Sequence, residues 1–374
     1  MKIFKFTCVF FSICLFVGCT SSTDNSITRE AADAVPSFQV DPFWPQTFPD
    51  NWITGQVSGI AVDSKNHIWI VHRPGTLGLD EGGPDGESQK PAYSPAPPVM
   101  EFDSGGKMLQ SWGGPGEGYE WPVGEHGIFV DGEDNVWICA ANGKTNKDHH
   151  VLKFKSDGSF LLQIGIPGET GGSNDTLRLG RPTDIAVDQA ANEVYITDGY
   201  LNRRLIVFDS NTGEYKRHWG AYGNKPEDVS PGPYDPDLPP PQQFDVPHAV
   251  IISDEGLVYL CDRSHNRIQV FQKNGKFIFE EFVARNTSGL GSTWDIDFSH
   301  DPGQKYIYVA DGTNQCVWIL ERENLKTVSK FGRIGRYAGE FIWVHSIAAD
   351  SFGNIYTGEV YTGKRTQKFS LKRD

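Results

Sequence analysis

Three histidines recur at one position of an internal repeat, and imidazoles that converge from separate repeats can bind a metal ion. Each histidine begins a similar apolar segment, and these segments are His126-Gly-Ile-Phe-Val-Asp131, His248-Ala-Val-Ile-Ile-Ser253 and His345-Ser-Ile-Ala-Ala-Asp350. Neutral imidazole suits Zn²⁺, and three protein ligands leave a fourth position open, as in catalytic zinc sites. The ligand type alone is also compatible with iron or copper.

The same segment occurs three more times without histidine. These intervening copies are Ser58-Gly-Ile-Ala-Val-Asp63, Thr183-Asp-Ile-Ala-Val-Asp188 and Trp294-Asp-Ile-Asp-Phe-Ser299. Six copies with histidine in the second, fourth and sixth predict a closed ring in which the three imidazoles lie about 120° apart.

Each repeat also carries a β-branched and aromatic segment that is typical of a strand. These second segments are Ile68-Trp-Ile-Val71, Val136-Trp-Ile-Cys139, Val194-Tyr-Ile-Thr197, Val258-Tyr-Leu-Cys261, Ile307-Tyr-Val-Ala310 and Ile355-Tyr-Thr-Gly358. No stretch has a sustained helical period. The pattern predicts an all-β fold, a six-bladed β-propeller, in which the early strand at residues 37–41 pairs with the last blade. The motifs Gly353-Asn-Ile-Tyr356 and Asn266-Arg-Ile-Gln-Val-Phe271 resemble NHL repeats.

The amino terminus has the features of a lipoprotein signal peptide. Lys2 and Lys5 precede an apolar run at residues 6–17, and Phe16-Val-Gly-Cys19 resembles a lipobox. We expect residues 1–18 to be cleaved, Cys19 to carry an acyl anchor such as palmitate, residues 19–36 to form a flexible tether, and residues 37–374 to form the catalytic propeller. This predicts a bacterial cell-envelope protein that meets the membrane through its lipid alone. An ordinary signal peptide, giving a secreted or periplasmic protein, is the alternative.

Charge and cysteine content exclude other classes. The net charge is −14, and loss of Lys2 and Lys5 with the signal peptide makes it −16, which disfavours nucleic acid as a partner. Three cysteines remain after Cys19, an odd number without a close pair: Cys139, Cys261 and Cys316. We interpret them as small buried apolar residues.

A second set of polar residues follows the second strands. Arg73 and Arg263 hold equivalent repeat positions, and Tyr200 lies one residue further on in its own repeat. Arginine can bind a carboxylate bidentately, and a cation beside a tyrosine favours the phenolate, which can act as a base. Three aspartates recur immediately before these positions and are expected to cap turns: Asp198, Asp262 and Asp311.

Together these motifs resemble the peptidyl-α-hydroxyglycine α-amidating lyase family, from about Gly55 to the carboxyl terminus. The matching motifs are Gly55-Gln-Val-Ser-Gly-Ile-Ala-Val-Asp63, His72-Arg73, Glu125-His-Gly-Ile128, Pro182-Thr-Asp-Ile-Ala-Val187, Asp198-Gly-Tyr200, Val246-Pro-His248, Asp262-Arg263 and Val344-His345. Any one of them is weak, whereas the set is specific.

The resemblance implies roles for the residues already singled out. It makes His126, His248 and His345 the Zn²⁺ ligands, Tyr200 the catalytic base, and Arg73 and Arg263 the groups that orient a substrate carboxylate. The implied substrate is a small or peptide-like N-acyl-α-hydroxyglycine. Its C–N bond would be cleaved to give an amide and glyoxylate.

The sequence departs from the family beside the third histidine. The family binds a structural Ca²⁺ through two backbone carbonyls, matched here by Ile60 and Ile128, and through an aspartate at the position of Ser346. The Ca²⁺ prediction is therefore incomplete. Trp343 stands where the family has methionine, which implies a different substrate pocket.

Two other functions fit the same residues. A non-catalytic NHL propeller at the cell surface could bind protein, or could bind glycan through Trp121, Trp294 and Trp343. A metal-dependent lyase or hydrolase acting on another substrate, such as a carbohydrate or lactone, could use the same histidines. Fold alone does not choose between these functions.

Overall fold

The β-branched and aromatic segments form strands, and the structure confirms the predicted six-bladed β-propeller. The computed structural model describes Met1 and residues 35–81, 93–141 and 147–373. The predicted signal peptide, Cys19 and nearly all of the tether lie outside the described residues, and their roles stay predictions. No helix in the described ranges is long and apolar enough to span a membrane.

Each blade is a four-stranded antiparallel sheet, numbered here from the amino terminus. Blade one contains β3 (Gln56–Val62), β4 (Ile68–Arg73), β6 (Val99–Phe102) and β7 (Met108–Trp112). Blade two contains β8 (Glu125–Val130), β9 (Val136–Ala140), β10 (His150–Phe154) and β11 (Phe160–Gly165). Blade three contains β12 (Pro182–Asp188), β13 (Glu193–Asp198), β14 (Arg204–Asp209) and β15 (Tyr215–Trp219).

The second half of the chain repeats this arrangement. Blade four contains β16 (Pro247–Ile252), β17 (Leu257–Asp262), β18 (Arg267–Gln272) and β19 (Phe277–Phe282). Blade five contains β20 (Asp295–Phe298), β21 (Tyr306–Asp311), β22 (Cys316–Glu321) and β23 (Thr327–Phe331). Blade six contains β24 (Val344–Ala349), β25 (Ile355–Glu359), β26 (Thr366–Leu371) and the early strand β1 (Phe38–Asp41).

The early strand closes the ring, as the sequence predicted. β1 pairs with β26 in antiparallel register, Phe38 opposite Leu371 and Asp41 opposite Lys368. This pairing covers an edge that would otherwise present unpaired backbone groups. A short parallel pair, β2 (Trp52–Ile53) with β5 (Ser94–Pro95), lies outside the blades. Short 3₁₀ turns supply the helical residues: Pro49–Asn51, Pro74–Thr76, Leu79–Glu81, Gln189–Ala191, Ala221–Gly223 and Arg263–His265.

The hydrophobic core lies between blades, and the first strands surround the axis. Apolar clusters fill the contacts between adjacent blades; for example, Val258 and Phe271 of blade four pack with Tyr195 of blade three. The first strand of every blade contacts the first strands of its two neighbours, which makes these six strands an inner ring. Since each repeated segment begins in or just before a first strand, the ring brings these segments together.

Candidate metal centre

A β-bulge at the start of the first strand places each histidine. In blade four the pairing of β16 with β17 passes from Pro247 directly to Ala249, so His248 has no partner across the strands. The same shift omits His345 in blade six, and a longer one omits His126 with Gly127 in blade two. A bulge can direct a side chain away from the regular pleat. Here it turns each imidazole toward the axis.

The three imidazoles meet at the centre of the inner ring. The ring centroids are 5.0 Å apart for His126 and His248, 4.8 Å for His126 and His345, and 5.0 Å for His248 and His345. One nitrogen of each lies within 4.8 Å of the other two, and all three side chains are buried. The structure therefore brings the predicted ligands together in a nearly threefold arrangement, which we call the His triad.

The blades without histidine orient the His triad through their backbone. His126 Nδ1 lies 2.7 Å from the carbonyl oxygen of Thr183, and His248 Nδ1 hydrogen-bonds the carbonyl of Trp294. His345 Nδ1 has no hydrogen-bond partner among the described residues, although the backbone of Ser58 opposes the lowering of the His345 pKa. Thr183, Trp294 and Ser58 hold the same repeat position as the histidines. This role was missed from the sequence, although the alternation of the repeats contained the signal.

These contacts fix the tautomer. A carbonyl accepts a hydrogen bond from Nδ1–H, so the lone pairs of His126 and His248 are on Nε2. Burial lowers the pKa of all three histidines well below its ordinary value of 6.5. Arg263 lowers all three pKa values further, and Arg73 lowers those of His126 and His345. The imidazoles are therefore neutral at neutral pH. Three neutral imidazoles, two of them held by carbonyl partners, form a donor set that can hold a divalent metal ion.

Tyr200 lies directly against the His triad. Its phenolic oxygen is 3.0 Å from His126 Nε2 and 3.3 Å from His248 Nε2. The turn that carries it passes close to blade four, because a Cβ on Gly199 would come within 2.0 Å of the Pro247 carbonyl oxygen. Glycine at position 199 therefore permits the approach of Tyr200 to the two histidines.

Arg263 holds the other side of the phenol. Its Nη1 donates to the Tyr200 oxygen at 3.4 Å, and its guanidinium lies 4.6 Å from the centroid of the Trp294 ring. Arg263 is buried, and its Nε has no hydrogen-bond acceptor among the described residues. A buried cationic donor without a partner is costly, which points to an anion as its natural partner.

Arg73 approaches the same region from blade one. Its Nε donates to the Glu125 carbonyl at 2.6 Å, and its Nη1 donates to Gln56 Oε1 at 3.0 Å. Burial lowers the pKa of the Arg73 guanidinium, while Tyr200, Glu125 and Tyr361 act in the opposite direction. The three residues predicted as catalytic thus lie on one side of the His triad, which we call the mouth.

Glu125 is a site residue that the sequence analysis did not identify as one. Its carboxyl is buried beside His126 and accepts a hydrogen bond from Trp121 Nε1 at 2.8 Å. Burial raises its pKa from 4.5 to about 7. The only sequence signal was its place directly before a metal-ligand candidate.

A cavity of about 320 Å³ lies behind the His triad, and we call it the channel. It is lined by the first strands and reaches the turns at Asn66, His300 and Ser351. Three partly buried aspartates on its walls each accept a hydrogen bond from the next histidine-bearing blade: Asp184 from Val250 N, Asp295 from Ile347 N, and Asp297 from Ala349 N. Burial raises the pKa of all three carboxyls, to about 7 for Asp184.

Ile60 and Ile128 also line the channel. Ser346 lines the channel too and is buried, and its hydroxyl has no hydrogen-bond partner among the described residues. A hydroxyl with two carbonyls is a neutral donor set, whereas protein Ca²⁺ sites use carboxylates. These residues do not fit the Ca²⁺ site that the resemblance implied, so no role is assigned to calcium.

A second group has metal-ligand spacing in blade one. Asp63, His67 and Glu101 bring their ligand atoms within 4.8 Å of one another. His67 Nδ1 lies 2.6 Å from Glu101 Oε1, and Asp63 accepts hydrogen bonds from the backbone of its own turn and from Trp69. The hydrogen-bonding capacity of these three side chains is thus used within the group and by the turn that carries Asp63.

The remaining sequence interpretations concern structure. Asp311 accepts hydrogen bonds from Thr313 N and Asn314 N of its own turn, as predicted for a turn cap. Asp198 and Asp262 instead accept from Gly180 N and Asp245 N of other segments, so the turn-cap prediction is wrong for these two. Asp198 and Asp262 also bind the buried Arg204 and Arg267. The cysteines are buried with free thiols: Cys139, Cys261 and Cys316.

Comparison with known proteins supports the class of fold. A family model for the NHL repeat matches residues 244–271. The solved structure of a streptogramin B lyase superposes with a TM-score of 0.52 at 11% identity, covering 90% of this chain and 98% of that one. The protein is thus an NHL-repeat six-bladed propeller with a central triple-histidine site.

Amidating enzymes are among its relatives. Peptidyl-alpha-hydroxyglycine alpha-amidating lyase 1 of Drosophila melanogaster is 30% identical over 366 residues, 90% of this chain and 60% of that protein. Peptidyl-glycine alpha-amidating monooxygenase B of Xenopus laevis is 29% identical over 337 residues, 86% of this chain and 34% of that protein. NHL repeat-containing protein 3 of Mus musculus is 28% identical, over 89% of this chain and 84% of that protein. The chain resembles the amidating-lyase family, while spanning about a third of the amidating monooxygenase.

Proposed function

We propose that this protein is a zinc-dependent lyase that cleaves the C–N bond of an N-acyl-α-hydroxyglycine, giving an amide and glyoxylate. The observation that carries the proposal is the contact of Tyr200 with two imidazoles of the His triad and with Arg263. A phenol, a cation and three neutral imidazoles are the groups that this reaction requires in one place. The similarity to amidating enzymes supports the same reaction class.

The donor set suits Zn²⁺. Two of the imidazoles have their Nδ1–H bonded to carbonyls, so that their Nε2 atoms are available on the axis. A bound zinc ion would act as a Lewis acid toward the substrate hydroxyl and make it more acidic. His126, His248 and His345 would hold it, with one position left for substrate.

The arginines would hold the substrate carboxylate. Arg263 has a buried Nε without an acceptor among the described residues, and Arg73 is fixed by Gln56 and the Glu125 carbonyl. Guanidinium groups match a carboxylate in shape as well as charge. A substrate whose carboxylate is bound by Arg73 and Arg263 would have its α-carbon, with the hydroxyl, between the arginines and the His triad.

Tyr200 would carry the proton. As phenolate it accepts the proton of the α-hydroxyl, the O–H electron pair forms the carbonyl of glyoxylate, and the C–N bond breaks. The phenol then returns the proton to the departing amide nitrogen, so no proton is gained or lost overall. Direct proton transfer requires the Tyr200 oxygen to lie beside the substrate hydroxyl. The position of Tyr200 against the His triad allows this.

Replacing the base tests this function. Tyr200→Phe should lower kcat for N-benzoyl-α-hydroxyglycine by roughly 10²–10⁴-fold, because the ring is kept and the proton acceptor is lost. Glyoxylate release measures turnover, and metal content by mass spectrometry should stay unchanged. Tyr215→Phe, on the outer strand β15, is the matched control. Full activity in Tyr200→Phe would reject this role, and no turnover by the zinc-loaded wild type would reject the function.

A second candidate is a non-catalytic propeller that binds a protein or glycan. The observation in its favour is the match with NHL repeat-containing protein 3, which this chain spans over 84% of its length. A purified protein that retains no metal after incubation with zinc, yet binds glycan on an array, would favour this second candidate.

A further inference from the structure

Three aromatic rings run outward from the His triad, and we call them the aromatic wall. The Trp294 ring lies 5.6 Å from His345 and 5.9 Å from His248, measured between centroids. Trp343 follows at 5.8 Å from Trp294, and Tyr361 at 4.9 Å from Trp343. Trp294 is fully buried, Trp343 is half-buried, and Tyr361 is 46% exposed. The wall thus changes from core to surface along its length.

The backbone holds Trp343 firmly in place. Its φ is +58°, a left-handed conformation, and the equivalent Val246 and Arg181 of other blades have φ of +59° and +60°. The Trp343 N–H donates to Gln315 Oε1 at 2.5 Å, and its carbonyl accepts from Val360 N at 3.0 Å. The turn is therefore common to several blades, whereas the indole on it belongs to blade six.

The aromatic wall lies on the mouth side of the His triad. The Arg263 guanidinium is 4.6 Å from the Trp294 centroid and also bonds Tyr200. Tyr361 and Tyr200 both interact electrostatically with Arg73. A substrate whose carboxylate meets these arginines would therefore have the half-buried Trp343 and the exposed Tyr361 beside it.

We propose that the wall binds the acyl group of the substrate, and that this acyl group is aromatic. The inference rests on the proposed function, because the carboxylate and the scissile C–N bond fix where the acyl group begins. A flat aryl group can pack against Trp343 and Tyr361 with offset or edge-on geometry, and it buries more apolar surface than an acetyl group can. The substrate class is then the N-aroyl or aryl-acyl α-hydroxyglycines, including peptides with an aromatic residue before the hydroxyglycine.

Sugars are less well matched to this wall. Trp294 is fully buried and cannot present a face to a sugar, and Trp121 donates its Nε1–H to Glu125 in another part of the site. A single half-buried indole with one tyrosine remains, next to two arginines. Arginines beside aromatic rings suit a substrate that has both a carboxylate and an aryl group better than they suit a neutral glycan.

The test compares acyl groups on the full-length, zinc-loaded protein. For wild type we expect kcat/KM for N-benzoyl-α-hydroxyglycine to exceed that for N-acetyl-α-hydroxyglycine by roughly tenfold. Trp343→Ala should reduce the preference to about twofold or less, and Tyr361→Ala, at an exposed position, should reduce it partly. Trp343→Phe should keep most of it. Phe352→Ala, an exposed aromatic at the opposite end of blade six, is the control and should behave as wild type.

A binding measurement separates this inference from the proposed function. Calorimetry with the unreactive N-benzoylglycine and N-acetylglycine reports acyl recognition without turnover. If no hydroxyglycine is cleaved but benzoylglycine binds more tightly than acetylglycine through Trp343, the proposed function is wrong, while recognition of an aryl group by the wall is upheld. Cleavage with equal kcat/KM for both acyl groups, or a preference that survives Trp343→Ala, would overturn the inference while leaving the function intact. Tighter binding of an oligosaccharide than of benzoylglycine would also overturn it.

Discussion

The two sides of the His triad are built from the same repeats and have opposite chemistry. The mouth carries Arg73, Arg263 and Tyr200, whereas the channel carries the carboxyls of Asp184 and Asp295. Arg73 ends the second strand β4, and Tyr200 and Arg263 lie in the turns that follow the second strands β13 and β17. The channel residues lie on first strands, whose inner edges leave backbone N–H groups without a strand partner.

The hydrogen bonds explain the difference. Asp184 and Asp295 each accept from an N–H of the next blade, Val250 and Ile347 respectively. Buried backbone donors need such partners. The channel carboxyls thus stabilise the inner ring, while the mouth residues, including an Arg263 Nε without an acceptor among the described residues, are left available to a ligand. Substitutions in the mouth should therefore lower activity, whereas substitutions in the channel should change stability.

The largest effect is expected on zinc content, from a substitution in the His triad, which lies between the mouth and the channel. His248→Ala should reduce zinc from about one equivalent to under a tenth, because two imidazoles hold the ion too weakly. It should also remove the rise in Tm that zinc gives the wild type. Mass spectrometry and thermal unfolding measure the two outcomes. His218→Ala, on the outer strand β15, is the control, and equal zinc in both variants would contradict the site.

The next largest effect is expected on kcat/KM, when a substitution in the mouth is compared with one in the channel. Arg263→Lys should lower kcat/KM roughly 100-fold, since lysine keeps the charge but loses the planar fork. Asp295→Asn should stay within about twofold, because its carboxyl contacts the backbone of blade six and lies behind the His triad. Glyoxylate release measures both. A larger loss in Asp295→Asn than in Arg263→Lys would reverse the assignment of the two sides.

The smallest effect is a pH dependence of stability on the channel side. Burial raises the pKa of Asp184 from 3.8 to about 7. Between these values the folded protein keeps a proton that the unfolded chain releases, so this group's contribution to stability falls as pH rises. Asp184→Asn removes the titration and should gain stability relative to wild type between about pH 4 and 7.

Urea unfolding at several pH values, with chelator present so that zinc does not contribute, measures this difference. Subtracting the wild-type curve from that of the variant cancels the titration of the buried histidines, which both proteins share. Asp237→Asn, at an exposed position, should follow the wild type throughout. A gap between Asp184→Asn and wild type that is constant with pH would refute the raised pKa.

The repeat pattern by itself determined the class of fold and the candidate ligands. Six similar segments predicted six blades, and histidine in alternate copies predicted a threefold site, because a closed ring turns equal spacing along the chain into equal angles about an axis. The same periodicity located Arg73, Arg263 and Tyr200 at the ends of second strands. These inferences needed residue type and register alone.

Only the tertiary structure decided how the side chains meet. The bulges that turn the histidines inward, and the carbonyls of Thr183 and Trp294 that set their tautomer, depend on contacts between blades. The burial that gives Glu125 a pKa of about 7, and the ring contacts of Trp343 with Trp294 and Tyr361, arise in the same way. Periodicity places a residue on a blade, but its direction and electrostatic surroundings come from neighbours distant in the chain.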